Sequence, residues 1–225
     1  MSIWFREAGG GAPERKPRLS RERIVEAAVA LLDAEGVAGF SMRALAARLR
    51  AGTMSLYEYV QSKEDVLDLA LDEVIGEIEP VEEGSWREVL VGQLTQSRDV
   101  MRRHPWLTAL MSTRPLLGPN ALARSRLLFS ALARAGLSGP ALTAAVGALT
   151  SYVNGYVASE NTWWATVRTP AADAEIRARV VQHLNDHVAE LASLTQVDNG
   201  DFDSSFLLGL DMILDGIQAR LPAQG

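Results

Sequence analysis

Apolar residues recur along most of the chain with the three-to-four-residue period of an amphipathic α-helix. In the first such segment, after Ser20, Ile24 is followed by an alanine pair and a leucine pair one and two turns later, and Gly36 is placed to end the helix. The strict alternation of apolar and polar residues that marks a half-buried strand does not occur in the sequence. The pattern therefore predicts an all-α protein.

Capping residues, prolines and glycines divide this pattern into separate helices. A short helix is expected over residues 41–49, and a second short helix follows a break and ends near Val60. A longer helix covers residues 63–79 and stops at Pro80. The remaining predicted helices cover residues 85–103, 105–112, 118–136, 139–160, 170–193 and 203–220. Residues 1–19 have no apolar period, so we expect a flexible basic tail whose apolar start is too short for a signal peptide.

Two of the predicted helices are apolar around most of their circumference. Residues 141–158 carry no charge, and in the last helix Asp211 and Asp215, spaced four residues apart, leave one edge that faces water. A membrane span is the alternative for residues 141–158, but polar side chains and missing basic flanks favour a helix buried on two sides. We therefore expect a homodimer in which a partner subunit covers both helices, and no membrane association. Close approach of neighbouring helices would explain four glycines inside them, Gly147, Gly155, Gly209 and Gly216.

Composition and charge narrow the possible functions. The chain of 225 residues has no cysteine, which excludes disulfides, thiolate zinc sites and cysteine nucleophiles and favours a cytoplasmic protein. It also lacks a nucleophile motif and a phosphate-binding glycine loop, so we do not expect an enzyme. The net charge of −6 is uneven, since residues 1–63 carry ten basic and seven acidic residues. A basic N-terminal third joined to an acidic remainder indicates that a small N-terminal unit interacts with a polyanion.

Residues 42–60 have the organisation of a helix-turn-helix. Two short helices flank a tight turn, and the small Ala46 stands where the helices would touch. An ordinary helical hairpin is the alternative for this segment alone. Arg50 occupies the turn position where glycine is usual, so it is expected at positive φ unless Gly52 shifts the turn.

The surrounding sequence resembles the DNA-binding region of the TetR family of transcriptional regulators. The family's stretch Leu-Tyr-x-His-Phe-x-x-Lys appears here over residues 56–63, with Tyr59 in place of the histidine. Weaker similarity to the tetracycline-repressor subclass continues in the body, including Thr113-Arg114-Pro115 and residues 151–155. The resemblance implies a three-helix helix-turn-helix domain over residues 20–67 and a larger C-terminal helical domain for ligand binding and dimerisation over residues 68–225.

The resemblance also implies which side chains contact double-stranded operator DNA. The guanidinium group of an arginine can pair with the edge of a guanine, serine and threonine hydroxyls can donate to or accept from base edges, and a methionine can pack against the methyl group of a thymine. Tyrosine hydroxyls and a lysine ammonium can hold phosphates of the DNA backbone. Packing is the alternative role for Tyr57, and a solvated helix start is the alternative for Lys63. The implied DNA-binding residues are Ser41, Arg43, Thr53, Met54, Ser55, Tyr57, Tyr59 and Lys63.

Polar residues on the inward face of the predicted helix 85–103 indicate a ligand pocket. Gln93 and Ser97 fall on its apolar stripe, and buried polar groups need partners, which either a ligand or an intramolecular hydrogen bond supplies. The polar side chain of Asn154, in the middle of an apolar helix, would likewise bind either a ligand or another group of the protein. Arg98 and Arg114 would pair either with an anionic ligand or with an acidic side chain. The candidate ligand-binding residues are Gln93, Ser97, Arg98, Met101, Leu110, Arg114 and Asn154.

A bound metal is not expected at this pocket. In the tetracycline-binding members a magnesium-coordinating histidine precedes Thr-Arg-Pro by three positions, and here that residue is Leu110, while Ser159 takes the place of the acidic ligand. His183 and His187 have a spacing that can grip a metal, but an exposed helix face is the default interpretation. We therefore predict no cofactor.

These observations together predict a function. We expect a ligand-responsive regulator, a repressor released from a palindromic operator by a small apolar organic inducer. The inducer would act by displacing the helix at 63–79, which is the continuous connection between the two domains. The alternative is a helical small-molecule carrier or enzyme without DNA binding.

Overall fold

The structure, a computed structural model, describes Trp4 and residues 19–167, 169–187 and 201–221. These residues form ten α-helices and no β-strand, which confirms the all-α prediction. The helices are α1 (Arg21–Gly39), α2 (Met42–Arg48), α3 (Thr53–Leu56), α4 (Lys63–Ile75), α5 (Trp86–Arg103), α6 (Trp106–Met111), α7 (Pro119–Arg134), α8 (Gly139–Thr166), α9 (Pro170–His187) and α10 (Phe202–Gln218).

Three helix ends differ from the sequence prediction. Helix α3 is a single turn that ends at Leu56, and α4 ends at Ile75, several residues before Pro80. Helix α8 continues past Glu160 to Thr166, because the Glu160 carboxylate is paired inside the protein and does not mark an exposed helix end. The last residues of the helix predicted over 170–193, and most of the predicted tail over 1–19, lie outside the described residues.

Serine side chains begin four of these helices. Ser20, Ser41, Ser62 and Ser85 each accept a hydrogen bond from the backbone N–H three residues later, which satisfies one of the free donors at the helix start. In α1 the backbone of Gly36 has φ 65°, so the glycine interrupts regular helix where the sequence predicted a stop.

The N-terminal helices pack around one small core. Helix α1 contacts α2 and α4, and α2 contacts α3. Ile24, Leu45 and Leu56 have no exposed surface in this core, and Ala46 is buried where a larger side chain would separate α2 from its neighbours. This packing holds the short α3 in place, since four residues do not form a stable helix alone.

The C-terminal helices form a bundle around α5 and α8. Helix α7 packs against both of them, and α10 packs along α8. The interior of this bundle is apolar, with Leu90, Leu94, Leu128, Leu149 and Val157 nearly or fully buried. Within the part of the chain that the structure describes, no helix has the length and apolar character needed to cross a membrane.

Candidate DNA interface and effector site

The turn between α2 and α3 sets the position of α3. Arg50 has φ 52°, in the left-handed region, as the sequence predicted, whereas Gly52 has an ordinary φ of −76° and begins α3. The N–H of Ala51 donates to the carbonyl of Ala46 at 3.0 Å, and the N–H of Arg50 donates to Ala47 at 3.1 Å. This pair of bonds is a Schellman motif, which needs one left-handed residue after the helix. Arginine there costs about 1 kcal/mol relative to glycine, and the turn forms nonetheless.

The predicted base-reading residues on α2 and α3, two helices in contact with each other, are exposed or partly exposed. Met54 is 78% exposed and Tyr57 is 42% exposed, although both are large side chains with apolar surface. Arg43 is also exposed, and among the described residues it has no hydrogen-bond or ion-pair partner. Thr53 and Ser55 are partly exposed at the start of α3. We call these residues, with Tyr59, the reading face; their contacts with DNA stay a prediction.

Two of the predicted DNA-binding residues also have structural roles. The Lys63 ammonium donates to the carbonyl of Phe40 at 2.9 Å and lies 5.6 Å from the centre of the Phe40 ring. The Ser41 hydroxyl accepts from the N–H of Ala44 at 3.2 Å and so caps α2. The ammonium has three N–H groups, so two donors of Lys63 stay available for a phosphate.

Gln93 and Ser97 are buried on α5, as the inward stripe predicted, and both have intramolecular partners. The Gln93 amide donates to the carbonyl of Glu79 at 2.7 Å, which ties α5 to the segment that follows α4. The Ser97 hydroxyl donates to the carbonyl of Gln93. Met101 and Leu110 are buried apolar neighbours in the same bundle. The contact of any of these side chains with a ligand stays a prediction.

The two arginines proposed for an anionic ligand form ion pairs with acidic side chains instead. Arg98 donates two hydrogen bonds to the Glu160 carboxylate, both at 2.9 Å, and a third to Asp203 at 2.7 Å. Arg98 and Glu160 are almost completely buried. Arg114 donates to the Asp68 carboxylate at 2.8 Å, which joins the segment after α6 to α4. The acidic-partner interpretation therefore accounts for both residues.

A further arginine, which sequence reasoning missed, is partly buried between α7 and α5. The Arg124 guanidinium donates through Nη2 to the Ser97 hydroxyl, and its buried Nε has no hydrogen-bond partner. Burial lowers the pKa of Arg124 to about 10. Asn154 on α8 has a buried Oδ1 that also lacks a partner. The sequence signal was available, because Arg124 falls on the apolar stripe of α7 between Ala121 and Leu128.

The metal-ligand positions of the tetracycline-binding proteins are occupied here by side chains without metal chemistry. Leu110 lies in the apolar core, and the Ser159 hydroxyl donates to the carbonyl of Gly155 at 3.1 Å. His183 and His187 are exposed on α9, and Nδ1 of His187 lies 3.0 Å from the His183 carbonyl. Over the described ranges, no three His, Cys, Asp or Glu residues are grouped so that they could hold a metal ion.

One face of α8 and α10 is apolar and exposed. Leu207, Leu208 and Met212 on α10 are 45%, 59% and 64% exposed. The predicted close helix approach occurs at Gly209, which contacts the ring of Tyr152, whereas a side chain at Gly147, Gly155 or Gly216 would meet open space. Within the described chain, these three glycines are therefore not explained by packing.

The N-terminal helices contact the body at a second place besides α4. Asp33 on α1 accepts a hydrogen bond from the indole of Trp106 at 2.6 Å and lies 2.7 Å from Nδ1 of His104. Nε2 of His104 lies 3.2 Å from the Glu77 carboxylate, just beyond α4. Helix α4 is the covalent connection, but a movement of α6 can also reach α1 directly through these contacts. We call these four residues the His104 junction.

The fold and the reading face define a helix-turn-helix DNA-binding protein with a helical effector domain. Comparison with known proteins agrees with this class. Residues 24–70 match the family of bacterial regulatory proteins called tetR, and residues 79–221 match the tetracyclin repressor-like C-terminal domain. The protein belongs to the TetR family of transcriptional regulators.

Individual relatives extend this comparison over nearly the whole chain. The chain is 42% identical to an HTH-type transcriptional regulator of Saccharopolyspora erythraea, over 97% of this chain and 92% of the relative. It is 40% identical to the transcriptional repressor DrrR1 of Streptomyces coeruleorubidus, over 93% of this chain and 82% of the relative. The crystal structure of ActR from Streptomyces coelicolor in complex with actinorhodin superposes with a TM-score of 0.78 at 28% identity, over 89% of this chain and 97% of ActR.

Proposed function

We propose that this protein is a cytoplasmic homodimeric repressor that binds a palindromic operator and releases it when a small organic inducer enters the C-terminal bundle. The observation that carries the proposal is the reading face, whose polar and apolar side chains are exposed on a firmly packed helix-turn-helix. Exposed side chains on a rigid support are suited to contact base edges without first breaking bonds inside the protein.

Two-fold symmetry of the operator follows from the proposed dimer. The exposed apolar face of α8 and α10 is a surface that a second copy of the chain can cover, and the open space beside Gly147 and Gly155 permits close approach of its helices. A two-fold dimer presents two reading faces, which must match half-sites about 34 Å or a multiple apart. An inducer that changes their separation therefore weakens binding to DNA.

The bundle of α5, α7 and α8 is the proposed inducer site. Buried polar groups without partners, such as Asn154 Oδ1, are accounted for when a ligand completes their hydrogen bonds. The complex of the related ActR with actinorhodin supports an organic molecule as the class of inducer. Helix α4 and the His104 junction would transmit its binding to α1 and the reading face. A hundredfold release from DNA requires about 2.7 kcal/mol of coupling between the two sites.

Binding to DNA separates a repressor from a carrier or an enzyme without DNA binding. The duplex upstream of the protein's own gene is titrated by fluorescence anisotropy at several salt concentrations, beside a shuffled duplex of equal length. A repressor prefers the upstream duplex and loses affinity steeply as salt rises, because phosphate contacts release counterions. Equal binding to both duplexes, or none, would refute the proposal.

The same assay tests the absence of a magnesium requirement. Operator release by an inducer is expected to be the same with EDTA and with magnesium, since Leu110 and Ser159 offer no metal ligands where the tetracycline-binding proteins have them. Release that EDTA abolishes and magnesium restores would show that this expectation is wrong.

A further inference from the structure

Helix α7 begins after a glycine, which has no side chain that could cap the helix. This N-cap residue, Gly118, is followed by Pro119, which has no backbone N–H. The next two N–H groups, of Asn120 and Ala121, donate to the two oxygens of the Asp72 carboxylate at 3.2 Å and 2.9 Å. Asp72 lies on α4, so the cap of a helix in the C-terminal bundle is supplied by the helix that leads away from the reading face.

The contact between α4 and α7 runs in both directions. The Asn120 amide donates to the backbone carbonyl of Asp72 at 3.0 Å, so α7 also holds the main chain of α4. Asp72 is 4% exposed, and its carboxylate lies at the start of a 16-residue helix, where the helix dipole favours a negative charge. Charge-assisted hydrogen bonds of this kind are stronger than neutral ones, and here they are shielded from water. We call Asp72, Gly118, Asn120 and Ala121 the α4–α7 clamp.

Glycine lets the two helices approach closely at the clamp. A Cβ atom at Gly118 would overlap the Asp72 carboxylate, because the carboxylate lies in the space that the glycine leaves. Gly118 has φ −69°, a value open to any residue, so its backbone conformation does not require glycine. On the α4 side, a Cβ atom at Gly76 would lie 2.8 Å from the Asn120 amide nitrogen. The close approach of α4 and α7 therefore accounts for the glycine at position 118.

A backbone partner fixes the position of a helix more firmly than a side-chain partner does. Asp68, one turn before Asp72 on α4, also contacts the body, but its partner is the long side chain of Arg114. Because an arginine side chain has many rotamers, that pair can stay intact while the helices shift slightly. The N–H groups at the start of α7 cannot move without the helix itself. Asp72 therefore sets the position of α4 relative to α7.

The clamp lies near the opposite end of α4 from the reading face. Lys63 begins α4, and Asp72 lies about 14 Å further along the axis at a rise of about 1.5 Å per residue. A tilt of α4 by about 10° at the clamp would then move the start of the helix by about 2 Å. If both subunits of a dimer tilted in opposite senses, their reading faces would move apart by about 4–5 Å, which exceeds the rise of about 3.4 Å per base pair.

We propose that Asp72 is a positioning residue for operator recognition. Through the α4–α7 clamp it fixes the angle between α4 and the C-terminal bundle, and thereby the separation of the two reading faces in the dimer. Asp72 acts on the operator through α4 and does not contact DNA itself. This inference rests on the proposed function, since it requires a dimer with two reading faces. It assigns the choice of operator spacing to a contact outside both the reading face and the proposed inducer site.

The separation of the reading faces can be measured with one spin label per subunit, because the chain has no cysteine. Glu58→Cys places the label on an exposed residue just after α3, and double electron–electron resonance measures the distance between the two labels of a dimer. With the clamp intact, one narrow distance distribution is expected. Asp72→Asn removes the charge at nearly constant shape and should broaden the distribution about twofold. Gly118→Ala should do the same from the α7 side, because its methyl group displaces the carboxylate.

Further variants separate positioning from general stability. Glu73→Gln neutralises the exposed carboxylate next to Asp72 and should leave the distance distribution unchanged. Asn120→Ala removes only the bond to the Asp72 carbonyl and should broaden the distribution less; as the mildest change, it carries the test if the other variants do not fold. The double variant of Asp72 and Gly118 should match either single variant, because both break the same contact. A merely structural role would lower the unfolding midpoint and leave the distribution of the folded dimer unchanged.

Operators of altered spacing give a second result on the same variants in the cysteine-free chain. One base pair is inserted or deleted at the centre of the operator, and affinity is measured by fluorescence anisotropy. The wild type is expected to favour the native spacing about tenfold or more, since each change moves the half-sites by about 3.4 Å and rotates them by about 35°. Asp72→Asn and Gly118→Ala should reduce this preference to about threefold or less. Glu73→Gln should keep it.

Failure of this inference is distinguishable from failure of the proposed function. The inference is overturned if the folded clamp variants keep either the wild-type distance distribution or the wild-type preference for operator spacing. A wild type that dimerises and prefers its operator, while the variants behave in the same way, refutes the inference alone. A wild type that forms no dimer, or does not prefer the upstream duplex over the shuffled one, refutes the proposed function and the inference with it.

Discussion

The reading face and the interior of the C-terminal bundle place polar side chains in opposite surroundings. On the reading face Arg43 and Tyr57 are exposed, and water solvates them while no DNA is bound. In the bundle Arg98 and Glu160 are buried, and Arg98 donates two hydrogen bonds to the Glu160 carboxylate. Exposed residues of the reading face can be changed without disturbing the fold, whereas a change to the buried residues of the bundle lowers stability. Substitutions on the reading face should therefore alter DNA binding without altering stability, and substitutions in the bundle should alter stability as well.

Breaking the buried ion pair should give the largest effect. Glu160→Gln leaves the buried Arg98 without its main counter-charge and weakens the contact with Arg102, so the free energy of unfolding should fall by about 3–5 kcal/mol. Chemical denaturation at a fixed protein concentration measures this change. Glu175→Gln is the matched control, because Glu175 pairs with Arg179 on an exposed surface and the loss should stay below about 0.5 kcal/mol. Equal stability of both variants would contradict the comparison.

A charged side chain introduced on the exposed apolar face should weaken dimerisation and leave folding of the single chain intact. Met212→Glu is expected to give a folded monomer and to weaken self-association by about a hundredfold, or about 2.7 kcal/mol, as sedimentation and circular dichroism would show. Leu149 and Leu210 are buried within their own chain, so charges there would unfold the protein and would not test the dimer. Leu122→Glu, on exposed α7, is the control that should stay dimeric. A monomeric wild type at micromolar concentration would refute this prediction.

On the reading face, Arg43→Ala should change base preference without changing stability. The loss of a bidentate contact is expected to relax discrimination at one base pair of each half-site by about 1–3 kcal/mol. Competition binding with operators substituted at single positions measures it, and the unfolding midpoint should not move, since Arg43 has no partner among the described residues. An equal loss of affinity on every duplex would show that Arg43 holds a phosphate and not a base.

The smallest effect is expected for Tyr57→Phe. Removal of one phosphate-binding hydroxyl should lower affinity by about 0.5–1.5 kcal/mol, equally on operator and shuffled duplexes. Fluorescence anisotropy on both duplexes is the measurement. If packing were the role of Tyr57, affinity would stay unchanged, because the ring is retained in phenylalanine.

The sequence alone determined the helices, the helix-turn-helix and its unusual turn. These features depend on residues close together in the chain: apolar periodicity defines a helix face, and the Schellman turn requires a left-handed residue at a set distance from Ala46, which made Arg50 predictable. Gln93 and Ser97 could likewise be placed inside the bundle, because a residue's position on a helix follows from its spacing.

Only the tertiary structure decided which polar groups meet. Arg98 and Glu160 are 62 positions apart, and their pairing depends on how α5 lies against α8, which no local pattern encodes. The incomplete bonding of Arg124 is harder still to predict, since it depends on every side chain that does not reach the guanidinium. The reason is physical: helix formation is governed by interactions within a few residues, whereas the bonding of a buried charge is governed by all the elements that exclude water from it.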